Sequence, residues 1–276
     1  MQDFTPLIDG KPLSAALDDD GILRLTLNDP ETRNSLSESM LGALDAAFTA
    51  AADNSAVRVI VLAANGPVFC AGHNLKEMTA ARNDPANGGD RGRAYFTRVL
   101  AQCSGVMQSI PNHSKPVIAE IAGTATAAGC QLAASCDLAI AADGAKFSTP
   151  GVHIGLFCST PMVALSRALG RKHAMEMLLT GDLVTAEKAA EIGLINYAVP
   201  AAELTTRTME MARKIAAKST ATVGFGKPAF YAQAEKTLDD AYDYAAAVMV
   251  ENMLAHDAEE DIAAFIEKRQ AKWADR

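Results

Sequence analysis

Four short apolar runs punctuate the first half of this sequence. The segments between them carry either the period of a helix or the small residues of a tight turn. In Ile22–Leu27, the residues Leu23, Leu25 and Leu27 alternate with Arg24 and Thr26, as in a strand with one buried face. Asn28-Asp29-Pro30 breaks that run. Leu36, Met40, Leu44 and Phe48 then recur every four residues with Leu41 beside them, which predicts a helix over 36–52. Ser35 and Glu38 have the spacing of a capping box at its start. Residues 57–62 are, apart from Arg58, more continuously apolar, the pattern of a strand covered on both faces. Val117–Ile121 and Leu138–Ala142 read as two more strands. Strands alternating with helices up to about residue 199 define an α/β fold. Beyond Ala201 the pattern is mostly helical, most clearly over 238–254 and 257–268. The expected division is an α/β core over 1–205 and a helical region over 206–276, with a mobile Asn/Asp/Gly-rich loop at 83–92.

Composition narrows the classes of function. Of 276 residues, 49% are apolar and 21% charged, which suits a well-buried core rather than disorder. The formal net charge of −8 argues against nucleic acid and anionic membrane as main partners. Cys70, Cys103, Cys130, Cys136 and Cys158 are odd in number and lack C-x-x-C spacing, so no disulfide framework and no metal site is expected. Residues 1–20 show no signal or transit pattern, and the uncharged stretch 121–136 is too short and polar to span a bilayer. Reduced thiols and these absences lead to an expectation of a cytoplasmic protein.

Two segments concentrate small residues where a strand gives way to a helix. They are Ala71-Gly72-His73-Asn74-Leu75 and Ala127-Ala128-Gly129-Cys130-Gln131-Leu132. Such turns serve either tight packing or close approach of a ligand to backbone N–H groups. Two N–H groups converging on one point would polarise a thioester carbonyl and stabilise its enolate. Composition does not decide between these readings.

Four motifs decide it. The segments Asn28–Ser37, Phe69–Glu77, Ile121–Asp137 and Ala264–Arg269 resemble, in order, the conserved blocks of the enoyl-CoA hydratase/isomerase (crotonase) family, and together they span about residues 20–273. Thr124–Leu132, Thr149–Val152 and Gly155–Pro161 further resemble the subgroup of enoyl-CoA hydratase domain-containing proteins numbered three. The resemblance implies a spiral of ββα units with a helical C-terminal oligomerisation region, assembled as a homotrimer or homohexamer. It implies an acyl-CoA substrate, no bound cofactor and a place in fatty acid metabolism. By the same resemblance, His73 and Ala128 supply the backbone N–H groups of an oxyanion hole. Ala71, Gly72, His73, Asn74 and Leu75 bind the CoA chain, and Phe265 and Lys268 lie over its adenine and phosphates, often from a neighbouring subunit.

The departures carry as much information. Gln131 and Gly151 stand where the family hydratases place their two glutamates, and Asn74 replaces an aspartate. Hydration needs a base for water and an acid for the α-carbon, which neither a glutamine nor a glycine supplies. The implied activity is nominally enoyl-CoA hydratase/isomerase. Decarboxylation, isomerisation or thioester hydrolysis on the same hole, or acyl-CoA binding without catalysis, are the alternatives. His73, His153, Ser159 and Thr160 are candidates to replace the acid–base pair. Each also has a plain reading: His73 lining a channel, His153 in the core or on the surface, Ser159 and Thr160 at a helix start. His113 is expected in an inert surface turn, and His173 and His256 on helices away from the motifs. Cys130 and Cys158 read as packed small residues, and Asp239, Asp240 and Asp243 as a solvated helix face.

Overall fold

The computed structural model describes residues 4–274. In chain order its elements begin with β1 (Thr5–Ile8), β2 (Leu13–Leu17), β3 (Ile22–Leu27), α1 (Glu38–Asp53), β4 (Val59–Ala64) and β5 (Val68–Cys70). Then come α2 (Leu75–Asn83), α3 (Arg93–Asn112), β6 (Val117–Ile121), β7 (Thr124–Thr126), α4 (Ala128–Ser135), β8 (Leu138–Ala142) and β9 (Lys146–Ser148). They are followed by α5 (Pro161–Ala168), α6 (Arg171–Thr180), β10 (Val184–Thr185), α7 (Ala186–Glu191) and β11 (Tyr197–Val199). The chain closes with α8 (Leu204–Ala216), α9 (Thr220–Ala234), α10 (Leu238–Met253) and α11 (His256–Glu267).

The strands form a seven-stranded sheet in the order β1-β2-β3-β4-β6-β8-β11 and a four-stranded sheet in the order β10-β9-β7-β5. Successive strands β4 and β5, β6 and β7, and β8 and β9 each place one member in either sheet and then lead into a helix. This is the expected ββα spiral. It aligns the ends of β5, β7 and β9, because β5 pairs parallel to β7 and β7 parallel to β9.

Both faces of β4 and β6 are covered, as the unbroken apolar runs require. Ile60, Leu62, Val117, Ala119 and Ile121 join the main core under α1 and α3. Val59, Val61 and Ile118 face the other way, onto Met209, Ala212 and Ala216 of α8. Glu120 shares that face, where it pairs with Arg24 at 2.5 Å and accepts a bond from Thr205 Oγ1 at 3.1 Å. Helix α8 therefore lies across the division expected at residue 205 and belongs to the core by its packing. Within the C-terminal region the exposed helices begin with α9: α9 and α10 bury no residue, and α11 buries only Asp257 and Ala264.

Two expectations are corrected here. Helix α1 is capped by Ser37, which accepts from Met40 N at 3.1 Å, and not by Ser35. The helix needs an extended residue at its cap, and Ser37 has that conformation with φ −71° and ψ 165°. His113 is buried, not in a surface turn. Its Nε2 donates to Phe48 O at 3.0 Å and its Nδ1 accepts from Lys115 N at 3.0 Å. Lys115 Nζ donates to Ala51 O at 2.6 Å, to Ala52 O at 3.2 Å and also to Asn54 O. Lys115 thus satisfies carbonyls that end α1 and have no acceptor role left inside the helix, while His113 ties its own loop to the last turns of that helix. Among the described residues, no helix is long and apolar enough to cross a membrane.

Candidate active site

The strip after β5 is held by the first motif. Asn34 sits in the left-handed region with φ 52° and is fully buried. Its Nδ2 donates to Asn65 O and Val68 O at 2.9 and 2.8 Å, and its Oδ1 accepts from Asp29 N at 2.9 Å. Ala71 N donates to Arg33 O at 3.1 Å, and Leu36 N donates to Gly72 O at 2.8 Å. Leu36 and His73 form a parallel bridge. Asn34 is the organising residue that sequence reasoning missed. An asparagine just after a Pro-led turn is the available signal, since asparagine tolerates a left-handed backbone.

The second strip starts helix α4. Ala127 N donates to Ser148 O at 2.9 Å, and Ala127 takes φ 51° and ψ −121°. A non-glycine backbone of this kind costs on the order of 1–3 kcal/mol and persists only where its surroundings enforce it. The enforcing contacts come from the first strip. A Cβ on Gly129 would stand 2.1 Å from Cys70 O. A Cβ on Gly72, which has φ 87°, would stand 2.9 Å from Ala127 Cβ and 3.1 Å from Ala128 N. The two glycine-bearing turns are in contact, and glycine is what permits the contact. Ala128 opens α4, so its N–H has no acceptor within the helix.

The side chains around this junction are varied. Asn74 caps α2, accepting from Lys76 N and Glu77 N at 3.1 and 3.4 Å, so the amide replaces an aspartate as a helix cap without its charge. Leu75, the first residue of α2, is exposed. His73 is half-buried, and burial pushes its pKa below 6.5, the ordinary value, which favours the neutral ring; the neighbouring Leu36 backbone opposes that shift but lies outside hydrogen-bond geometry. Gln131 is buried on the first turns of α4. Gly151 is buried in the turn after β9, with its backbone outside the left-handed region. A Cβ there would meet Leu156 O at 2.6 Å and Cys158 Sγ at 2.9 Å.

The remaining candidates are less engaged. His153 is exposed, with Nε2 at 2.8 Å from Thr180 O. Ser159 is exposed and donates weakly to Phe157 O at 3.3 Å, while Thr160 precedes α5 without a side-chain cap bond. Burial raises the thiol of Cys130 to about 12 and also raises that of Cys158, which leaves both as packed thiols. Phe265 and Lys268 are exposed at the end of α11, whose packing partners are α9 and α10.

Comparison with known proteins identifies the family. The family model for enoyl-CoA hydratase/isomerase matches residues 18–276. The human enoyl-CoA hydratase domain-containing protein 3, mitochondrial, is 47% identical over 255 residues, covering 92% of this chain and 81% of the relative. Its rat counterpart is 45% identical over 262 residues, covering 95% and 84%. The crystal structure of human enoyl-CoA hydratase domain-containing protein 3 superposes with a TM-score of 0.89 at 47% identity, covering 95% of this chain and all of that one (100%). An enoyl-CoA hydratase from Mycobacterium smegmatis gives a TM-score of 0.90 at 46% identity, covering 96% and 99%. The subgroup resemblance therefore holds. The cytoplasmic expectation does not, because the human, rat and mouse relatives are named mitochondrial. Free thiols distinguish a reducing from an oxidising compartment and resolve nothing finer. The chain belongs to the enoyl-CoA hydratase/isomerase family.

Proposed function

We propose that this chain binds CoA thioesters, without a cofactor of its own, and stabilises the enolate formed at the thioester carbonyl. The N–H groups of His73 and Ala128 are its oxyanion hole. The observation that carries this reading is the contact between Gly72 and the start of α4, which sets a helix N-terminus beside the next residue's amide. Two such donors, fixed before the substrate arrives, stabilise charge that develops on one oxygen. The strip from Ala71 to Leu75 takes the CoA chain. Phe265, which is 86% exposed, and Lys268 cover the adenine and phosphates of a neighbouring copy in a trimer or hexamer.

Hydration is weak in this reading. Gln131 holds a hydrogen-bonding amide where a hydratase needs a proton-transferring glutamate. Gly151 leaves no room to compensate, since Leu156 O occupies the direction a side chain would take. Loss of a general acid or base costs about 10² to 10⁴ in rate. Chemistry that creates an enolate without a base, such as decarboxylation, needs only the hole.

Titration calorimetry with CoA, acetyl-CoA and crotonyl-CoA tests binding, and crotonyl-CoA hydration by the wild type and Gln131→Glu tests the chemistry. Thioester binding with slow hydration, raised in Gln131→Glu, is the expected result. No heat at millimolar thioester, or wild-type turnover in the range of efficient hydratases, would sink the proposal.

A further inference from the structure

Among the described residues, five buried side-chain polar atoms have no hydrogen-bond partner in the protein: Asp18 Oδ2, Ser35 Oγ, His73 Nδ1, His73 Nε2 and Gln131 Oε1. All but the Asp18 atom lie on three segments that meet at Gly72. Ser35 precedes Leu36, which donates to Gly72 O at 2.8 Å and bridges His73. Gln131 stands on α4, whose first N–H a Cβ on Gly72 would approach to 3.1 Å. Ser35 and Gln131 are only 6% and 4% exposed. An unpaired buried polar group costs about 1–3 kcal/mol, so native proteins keep few of them. A concentration of them beside a proposed oxyanion hole indicates partners that arrive with the ligand.

We infer that Ser35, His73 and Gln131 form a polar subsite for the acyl group, and that the preferred thioester carries a hydroxyl or oxo group close to its thioester carbon. The inference rests on the acyl-CoA reading above and extends it to the acyl chain. A neutral imidazole offers one N–H donor and one nitrogen acceptor; the glutamine carbonyl accepts, and the serine hydroxyl does both. Burial favours that neutral form of His73. A hydroxyl on the substrate can accept from one of these groups and donate to another. A saturated or simple enoyl chain presents only C–H bonds and leaves all of them unpaired in the complex. Sites built to hydrogen-bond a hydroxyl reject analogues that lack it far more strongly than apolar pockets discriminate by size. His73 then has two separate tasks: its amide faces the thioester oxygen and its ring faces the acyl chain.

Calorimetry with CoA, butyryl-CoA, 2-hydroxybutyryl-CoA and 3-hydroxybutyryl-CoA tests this. At least one hydroxy isomer is expected to bind about tenfold or more tightly than butyryl-CoA, as one matched hydrogen bond suffices for that ratio. In His73→Leu, which keeps the backbone amide, the ratio is expected to collapse toward one. Gln131→Met provides the same reading should His73→Leu not fold by circular dichroism. Equal binding of butyryl and both hydroxybutyryl thioesters by the wild type overturns this inference and leaves the proposed function standing. So does a preference that survives in both variants. Failure of CoA and of every thioester to bind removes the proposed function and this inference together.

Discussion

Helices α1 and α10 are each 16 residues long and each is opened by a hydroxyl cap, Ser37 for one and Thr237 for the other. Helix α1 buries Met40, Leu41, Leu44, Ala47, Phe48 and Ala51, whereas α10 buries nothing. The difference separates two kinds of specification. In the core, propensity, capping and burial agree. In α9 to α11 the local signals are present but many of the large apolar residues stay exposed. Tyr242, Met249 and Leu254 are 72%, 61% and 76% exposed. A groove of about 520 Å³ between α9 and α10 is lined by Phe225, Val248 and Val250. What joins this region to the core is polar: Lys227 Nζ lies 2.7 Å from Asp137 Oδ2 and donates to Ile110 O and Lys115 O, while Tyr231 donates to Asp137 Oδ1 at 2.8 Å. Apolar packing holds the core together; a buried ion pair pins the exposed helices to it.

That contrast is most easily broken at the pin. Lys227→Met leaves Asp137 buried without its cation, a change that costs about 3–5 kcal/mol. Thermal and denaturant unfolding should both register a loss of that size, and a loss under 1 kcal/mol would mean that α9 is held by something else. The exposed face is tested next, by Met249→Asp combined with Leu254→Asp. If these helices are the trimer contact we propose, central residues contribute about 2 kcal/mol each, or roughly 30-fold in dissociation constant. Light scattering should show monomers with native helix content; an unchanged assembly would place the contact elsewhere.

Smaller effects sharpen the comparison. Loss of a cap costs about 1 kcal/mol wherever the helix is part of the cooperative unit. Ser37→Ala should therefore lower global stability by that amount. Thr237→Ala should act mainly through faster amide exchange in the first turn of α10. Equal global losses would show that both regions unfold as one. The pH dependence ranks last. Burial holds the folded pKa of His113 and of His73 below the ordinary 6.5, so below that pH the unfolded chain binds more protons than the folded one. Stability is full above pH 6.5 and falls as pH drops from there toward the folded values. His113→Gln should flatten the slope in pH-dependent unfolding, and an unaltered slope would exonerate this residue.

Much was legible in the residues alone. Period and apolarity define Ile22–Leu27, Val117–Ile121 and Leu138–Ala142 to the residue, and locate Val59–Ala64, α10 and α11 within two residues. These patterns are local, since each follows from how one segment meets one face of the core. The ordered motifs likewise declare the family. Strands β5, β7, β9 and β10 are only two or three residues long, too short to show a period, so the second sheet exists only as pairings between distant segments. The burial of His113, the attachment of α8 to the sheet and the steric closure around Gly151 are of the same kind. So is the meeting of Gly72 with Ala128, 56 residues apart by their numbers (128 − 72). The sequence alone determined the longer strands and helices and which residues are small enough to approach. Only the tertiary structure decided which of them touch, because contact between distant segments depends on the chain between them and on the packing of the whole core.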